Sequence, residues 1–254
     1  MTNKPLPLIA LVAAAALAAT ACNADKGATG ANAAANSAVA ATPVAAPNNG
    51  DWSSIISQTP EGGFLMGNPN AKVKLVEYGS LTCPHCAEFE KQGSKVLIEN
   101  YVKKGLVAFE FRNFVRDPYD ITASLLARCG GGASFFGLTR ALYTDQKDWI
   151  GKIQAADPAV LEAMQSQSPQ QQFKTIADLA GFPAYAAMRG VPKAKSAACL
   201  ADPAAASQLV QMNSDAVAAY NIPGTPSFLI NGELVPDTAN WELLEPKLKE
   251  ALGG

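Results

Sequence analysis

A strand–helix–strand pattern with two cysteines at its first junction constrains this chain most. Val73-Lys74-Leu75-Val76-Glu77-Tyr78 is β-branched and aromatic, as a strand requires. Gly79, Ser80 and Thr82 then supply turn and cap chemistry. Downstream, Phe89, Val96, Leu97 and Tyr101 recur at helical spacing, with Glu88, Glu90 and Lys91 between them. The predicted helix runs from about Cys83 to Lys104 and ends at Gly105. Leu106 to Phe114 alternates as a second strand. Elements of this size make a βαβ unit, hence a parallel pair with a right-handed crossover.

The junction itself reads Cys83-Pro84-His85-Cys86. Cysteines at this spacing can close a disulfide within one turn of chain. Cys83 falls at the helix N-terminus, where free N–H groups and the helix dipole favour an anion. A thiolate is that anion and is the reactive form of cysteine. His85 adds a second candidate positive charge, and Pro84 sits at the first helical position, a favoured place for proline whatever the chemistry. If the Cys83 pKa falls from about 8.5 to about 5, the reduced form gains about 2.7 kcal/mol at pH 7. That is roughly 60 mV for a two-electron couple, toward a stronger oxidant. Half of a zinc site is the competing reading, but there is no second Cys-x-x-Cys and His85 is the only histidine. A purely structural disulfide here would be strained for no gain.

Net charge is −2 and charged residues are 17% of the chain, so no basic surface for nucleic acid is evident. Residues 1–21 read as a secretory signal: Lys4 is the positive end, Leu6 to Ala18 the short apolar run, and Ala19-Thr20-Ala21 the cleavage pattern. Cys22 follows directly. It resembles the lipid-modified cysteine of bacterial lipoproteins, although Ala19 stands where that family usually has Leu; ordinary cleavage before an incidental cysteine is the alternative. Residues 22–55 form a flexible Ala/Asn/Pro-rich tether, with too little apolar surface to offset ordering entropy, and order sets in near Trp52. Gly63 to Gly67 reads as a short strand and Asn68 to Ala71 as a turn.

Residues 56–116 thus hold the βαβ part. Residues 117–219 read as helical, with segments at Ile121 to Arg128, Phe135 to Tyr143, Pro158 to Met164, Gln170 to Leu179 and Pro203 to Ala219. Strands return in residues 220–254: Pro226 to Ile230, the turn Asn231-Gly232, then Glu233 to Val235, with a closing helix from Trp241 to Leu252. Cys129 and Cys199 both lie in the helical region. Secretion and the cysteine count favour a pair; two separate buried thiols are the alternative.

This order resembles an α/β thioredoxin-like fold with an inserted all-helical subdomain. Cys83-Pro84-His85-Cys86, Gly224-Thr225-Pro226-Ser227-Phe228 and Glu77, six residues before Cys83, carry the likeness to the DsbA-like thiol:disulfide oxidoreductases of the bacterial periplasm. The resemblance spans roughly residues 60–252. It implies a cis Pro226 beside the disulfide, with the Thr225 backbone pairing to substrate peptide. It implies a buried Glu77 that accepts the Cys86 proton, for which the period-2 pattern with Val73 and Leu75 is consistent. It also implies a second disulfide between Cys129 and Cys199; as a structural bond that pair is expected to be buried and hard to reduce, and the catalytic pair exposed and easily reduced. The expected protein is a periplasmic disulfide oxidase, anchored through Cys22, monomeric and without metal or organic cofactor. Its expected partners are unfolded secreted proteins and a DsbB-like quinone-linked membrane protein. A reductase or isomerase on the same fold is the first alternative, although isomerases of that group carry an N-terminal dimerisation domain where this chain has low complexity. A copper or zinc carrier using the same thiols is the second.

Overall fold

The computed structural model describes residue 47 and residues 50–254, so Cys22 and the signal segment lie outside the described residues. A turn of 3-10 helix, Trp52–Ser54, leads into strands β1 (Ile56–Gln58), β2 (Phe64–Met66) and β3 (Val73–Gly79). Helix α1 (Pro84–Phe89) continues through a π-type segment, Glu90–Ser94, the short α2 (Lys95–Leu97) and a second π-type segment, Ile98–Val102. The sequence pattern predicts one uninterrupted α-helix here, and the wider turns are the difference. Gly93 lies in the first of them, tight against Trp241: a Cβ at that position would stand 2.7 Å from the indole. Strand β4 (Val107–Asn113) closes the βαβ unit.

Between β4 and β5 (Ser227–Ile230) the chain is helical. The helices are α3 (Pro118–Arg128), α4 (Gly132–Thr144), α5 (Gln146–Gln154), α6 (Pro158–Gln165), α7 (Pro169–Ala180), α8 (Phe182–Ala187), α9 (Lys193–Ala201) and α10 (Pro203–Tyr220). One local rule starts several of them. Asp117, Asp157, Ser168 and Asp202 are N-caps, each followed by proline at the first helical position. The acid or hydroxyl satisfies free N–H groups, and the proline has no N–H to leave unpaired. Helices α5, α8 and α9 have no counterpart in the sequence reading. Gly181, with φ +76°, ends α7 and caps α8, so a residue that reads as a breaker joins two helices. Strand β6 (Glu233–Val235) and α11 (Trp241–Leu252) finish the chain.

Among the described residues the strands form one sheet in the order β1-β2-β4-β3-β5-β6. Only β3 and β4 run parallel. Their alternation divides the core. Val73, Leu75 and Glu77 share one face; Val76 and Tyr78 share the other and pack with Ala216 of α10 and Leu229. On the first face Phe89 meets Phe228 at 4.7 Å between ring centroids, and Phe111 meets Phe135 and Tyr143 of α4. α1 is thereby fixed over the centre of the sheet, where β3 delivers the chain into it.

Cys129, the C-cap of α3, is bonded to Cys199 in α9. The bond bridges a separation of 70 residues. Constraining a loop of that length in the unfolded chain stabilises the fold by about 4 kcal/mol on chain-entropy grounds. Replacing both cysteines with alanine should therefore lower the thermal midpoint by several degrees in calorimetry. Redox activity of the folded variant at low temperature should be retained.

Candidate active site

β3 ends at Gly79, and Ser80, Leu81 and Thr82 carry the chain to Cys83, the N-cap of α1. Cys83 has extended backbone angles, φ −85° and ψ 121°, so its side chain turns back over the first turn. Pro84 at the first helical position gives up no N–H, and the N–H groups of His85 and Cys86 face the Cys83 sulfur. The Cys86 thiol hydrogen bond is the largest influence on Cys83. With the Thr225 side chain and the two N–H groups it outweighs burial and lowers the thiol from 9.0 to about 4. His85 acts through its backbone N–H, while its imidazole is exposed.

Cys86 behaves in the opposite way. It is fully buried, and burial, the hydrogen bond it gives Cys83 and the charge of Glu77 push its thiol well above the ordinary range. One pair of cysteines thus holds a ready thiolate and a reluctant one. Neither is open to solvent: Cys83 is 3% exposed, where the sequence suggested an exposed pair. The reason is the loop opposite. The Thr225–Pro226 peptide is cis, and the Thr225 carbonyl accepts a hydrogen bond from Cys83 Sγ at 3.2 Å. Pro226 is buried there, and so is the Thr225 hydroxyl.

Glu77 lies in register between Phe111 of β4 and Phe228 of β5, both buried. Its own exposure is 2%, and Oε1 has no hydrogen-bond partner among the described residues. Burial, followed by the charges of Glu90 and Cys83, raises its carboxyl well above the usual range. A carboxyl held protonated by burial is a candidate proton partner for Cys86, whose thiol feels its charge.

Two clefts flank the neighbours of Cys83. One cleft, about 380 Å³, is lined by His85, Glu88, Phe89, Ala239 and Glu242 among others. Another, about 290 Å³, runs along Gly224, Thr225 and Pro226 and also reaches Ala239. The site therefore joins Cys83, Pro84, His85, Cys86, Glu77, Thr225 and Pro226. Cys129–Cys199 belongs to the helical region between α3 and α9.

Asp120 of α3 is a participant that the sequence reading missed. Its carboxylate accepts from Ser80 Oγ at 2.5 Å and from the Leu81 N–H at 2.8 Å, and burial lifts it to about 7. Arg116 donates to Ser80 Oγ and Thr82 Oγ1. The loop before Cys83 is thus held by side chains from the helical region and the link leading into it. An Asp117–Asp120 spacing reads as a helix cap, and Asp117 does cap α3, so only the tertiary structure reveals Asp120's second use.

The family model described as Thioredoxin matches residues 59–250. The chain belongs to the thioredoxin family. A protein-disulfide isomerase from Novosphingobium aromaticivorans, known from its crystal structure, is 36% identical, covering 75% of this chain and 97% of that one, with a TM-score of 0.71. The fold of Wolbachia pipientis alpha-DsbA1 is shared at a TM-score of 0.62, with 21% identity over 77% of this chain and 92% of that one. A Rickettsia bellii (strain RML369-C) protein, described by inference as a protein-disulfide oxidoreductase, is 28% identical over 68% of this chain. This thioredoxin-family chain spans 58% of the length of that relative.

The split between the thiols fixes a pH dependence. With Cys83 ionised above about pH 4, the reduced protein binds one proton fewer than two glutathione thiols, which ionise near their ordinary value. Reduction by glutathione then releases a proton. Its equilibrium constant should rise about tenfold per pH unit from about pH 4 to about pH 8.5, and flatten below. Quantifying the two protein forms in glutathione buffers across that range checks this.

Proposed function

We propose that this thioredoxin-family protein is a thiol:disulfide oxidoreductase that works as an oxidase, passing the Cys83–Cys86 disulfide to reduced, unfolded secreted proteins. The opposed acidities of Cys83 and Cys86 carry this reading. A substrate thiolate attacks Cys83 Sγ, and the Cys83–Cys86 bond breaks as a mixed disulfide forms. Cys86 leaves with the electron pair and takes a proton, which the high-pKa Glu77 carboxyl can supply. A second substrate thiolate then attacks the substrate sulfur of the mixed disulfide and expels Cys83. Expulsion is easy because Cys83 is a stable thiolate, and thiols of low pKa leave fast. Two substrate thiols are oxidised, the Cys83/Cys86 pair gains two electrons, and no metal or organic cofactor takes part.

During exchange the substrate backbone pairs beside the cis peptide, along the cleft by Thr225 and Pro226. Reoxidation falls to a DsbB-like quinone-linked membrane protein, on the strength of the family likeness. The leader-like residues 1–21 and Cys22 support a periplasmic protein tied to a membrane by lipid.

A second reading, disulfide isomerase, is favoured by the 36% identical Novosphingobium protein, which is described as a protein-disulfide isomerase. The two readings separate in one assay. Given reduced, unfolded substrate and no glutathione, the oxidised protein should form substrate disulfides mole for mole. Given a scrambled, fully oxidised substrate, the reduced protein should restore activity slowly or not at all. Cys83→Ala should abolish both reactions; Cys86→Ala, which cannot hold the disulfide, should fail in the first and, given the oxidised substrate, should accumulate a mixed disulfide as its Cys83 thiolate breaks a substrate disulfide. Efficient unscrambling with poor oxidation would favour the isomerase.

A further inference from the structure

Gln146, the first residue of α5, is buried, yet it faces the active-site loop rather than the apolar interior of its own helix. Its Nε2 donates to the Leu81 carbonyl at 2.8 Å and to the Cys83 carbonyl at 3.0 Å. A primary amide has two N–H donors, and both are spent on this one stretch of backbone. The bridge spans the Leu81–Thr82–Cys83 segment and restricts the rotation that aims the Cys83 side chain. The same segment is held from its other side, since the Leu81 N–H donates to Asp120. The Cys83 carbonyl also accepts from the Ala87 N–H at 3.2 Å, so Gln146 reinforces the first turn of α1.

We propose that Gln146 is a positioning residue: by bridging the Leu81 and Cys83 carbonyls it holds the Cys83 sulfur against the first N–H groups of α1 and so sets how strongly the site oxidises its substrates. The favourable field of a helix end falls off within one turn, so it acts on a sulfur only while that sulfur is held close. Cys83 has no side-chain cap bond of its own to hold it. Cys83 Sγ does bond the Thr225 carbonyl as a thiol, but a thiolate has no proton to donate. In the reactive form the Cys86 thiol donates to the sulfur, and the Cys83 backbone, to which Gln146 is fastened, sets where that sulfur stands relative to the helix end. This deepens the oxidoreductase reading and rests on it for function, although the effect on Cys83 can be measured without any protein substrate.

Gln146→Met keeps the length and removes both donors. Wild-type and variant thiolate titrations should differ, with the Cys83 midpoint raised by about one unit and the glutathione equilibrium constant for reduction at pH 7 lowered about tenfold. Trp149→Phe serves as the control. It lies on the same helix and removes a different buried bond, from Trp149 Nε1 to the Leu142 carbonyl at 2.9 Å. That variant should lose thermal stability and leave Cys83 unchanged. If Gln146→Met does not fold, Gln146→Asn, which draws the amide back by one carbon, should shift Cys83 in the same direction. An unchanged Cys83 in the folded Gln146 variant overturns the proposal, as does an equal shift in Trp149→Phe. A wild-type protein with an acidic Cys83 that fails to oxidise substrates would instead overturn the oxidase reading and leave the role of Gln146 standing.

Discussion

The closeness of one sulfur atom to the first N–H groups of α1 is the constraint on which the rest depends. A helix end carries unsatisfied donors, and here the N-cap side chain facing them is a thiol. The sheet makes that placement repeatable. β3 is central, paired on both sides, and it ends directly before the loop to Cys83. Phe89, Phe228 and Trp241 then clamp the helix and its continuation over the sheet. Position, more than charge, is what the fold supplies: the exposed His85 contributes its backbone N–H.

The second cysteine gains its character from the opposite condition. Cys86 points into the core, beside a carboxyl that two flanking strands have taken out of water. Burying a carboxyl with an unpartnered oxygen costs stability. A fold retains such a cost where the chemistry uses it, and exchange with Cys86 is a use this geometry allows. The helical region contributes more than a cover. Asp120 and Gln146 reach from it to the loop before Cys83, joined by Arg116 from the link between β4 and α3, so the thiol is held jointly by sheet and insertion.

Much of this was legible in the sequence because it is encoded locally. The βαβ unit, the Asn231-Gly232 hairpin and the closing helix from Trp241 follow from periodicity and turn chemistry. β1 escaped because three largely exposed residues carry no alternation, and α8 because Gly181 reads as a stop. The π-type turns after Phe89 escaped because helical spacing does not distinguish them over a few residues. At the site, the Cys-Pro-His-Cys stretch announces itself, and Glu77 is suggested by its strand face. Asp120 and Gln146 have no local signature. Their partners stand 39 and 63 residues away, and only the packing of insertion on sheet brings them together. The near-complete burial of Cys83 is likewise a tertiary effect, produced by the Thr225–Pro226 loop.

Following each thiol separately tests the central claim most directly, for instance by NMR of isotope-labelled cysteine in the reduced protein. Cys83 should ionise with a midpoint near 4, while Cys86 stays protonated beyond its ordinary 9.0. A Cys83 midpoint near 9.0, or two thiols titrating together, would contradict it.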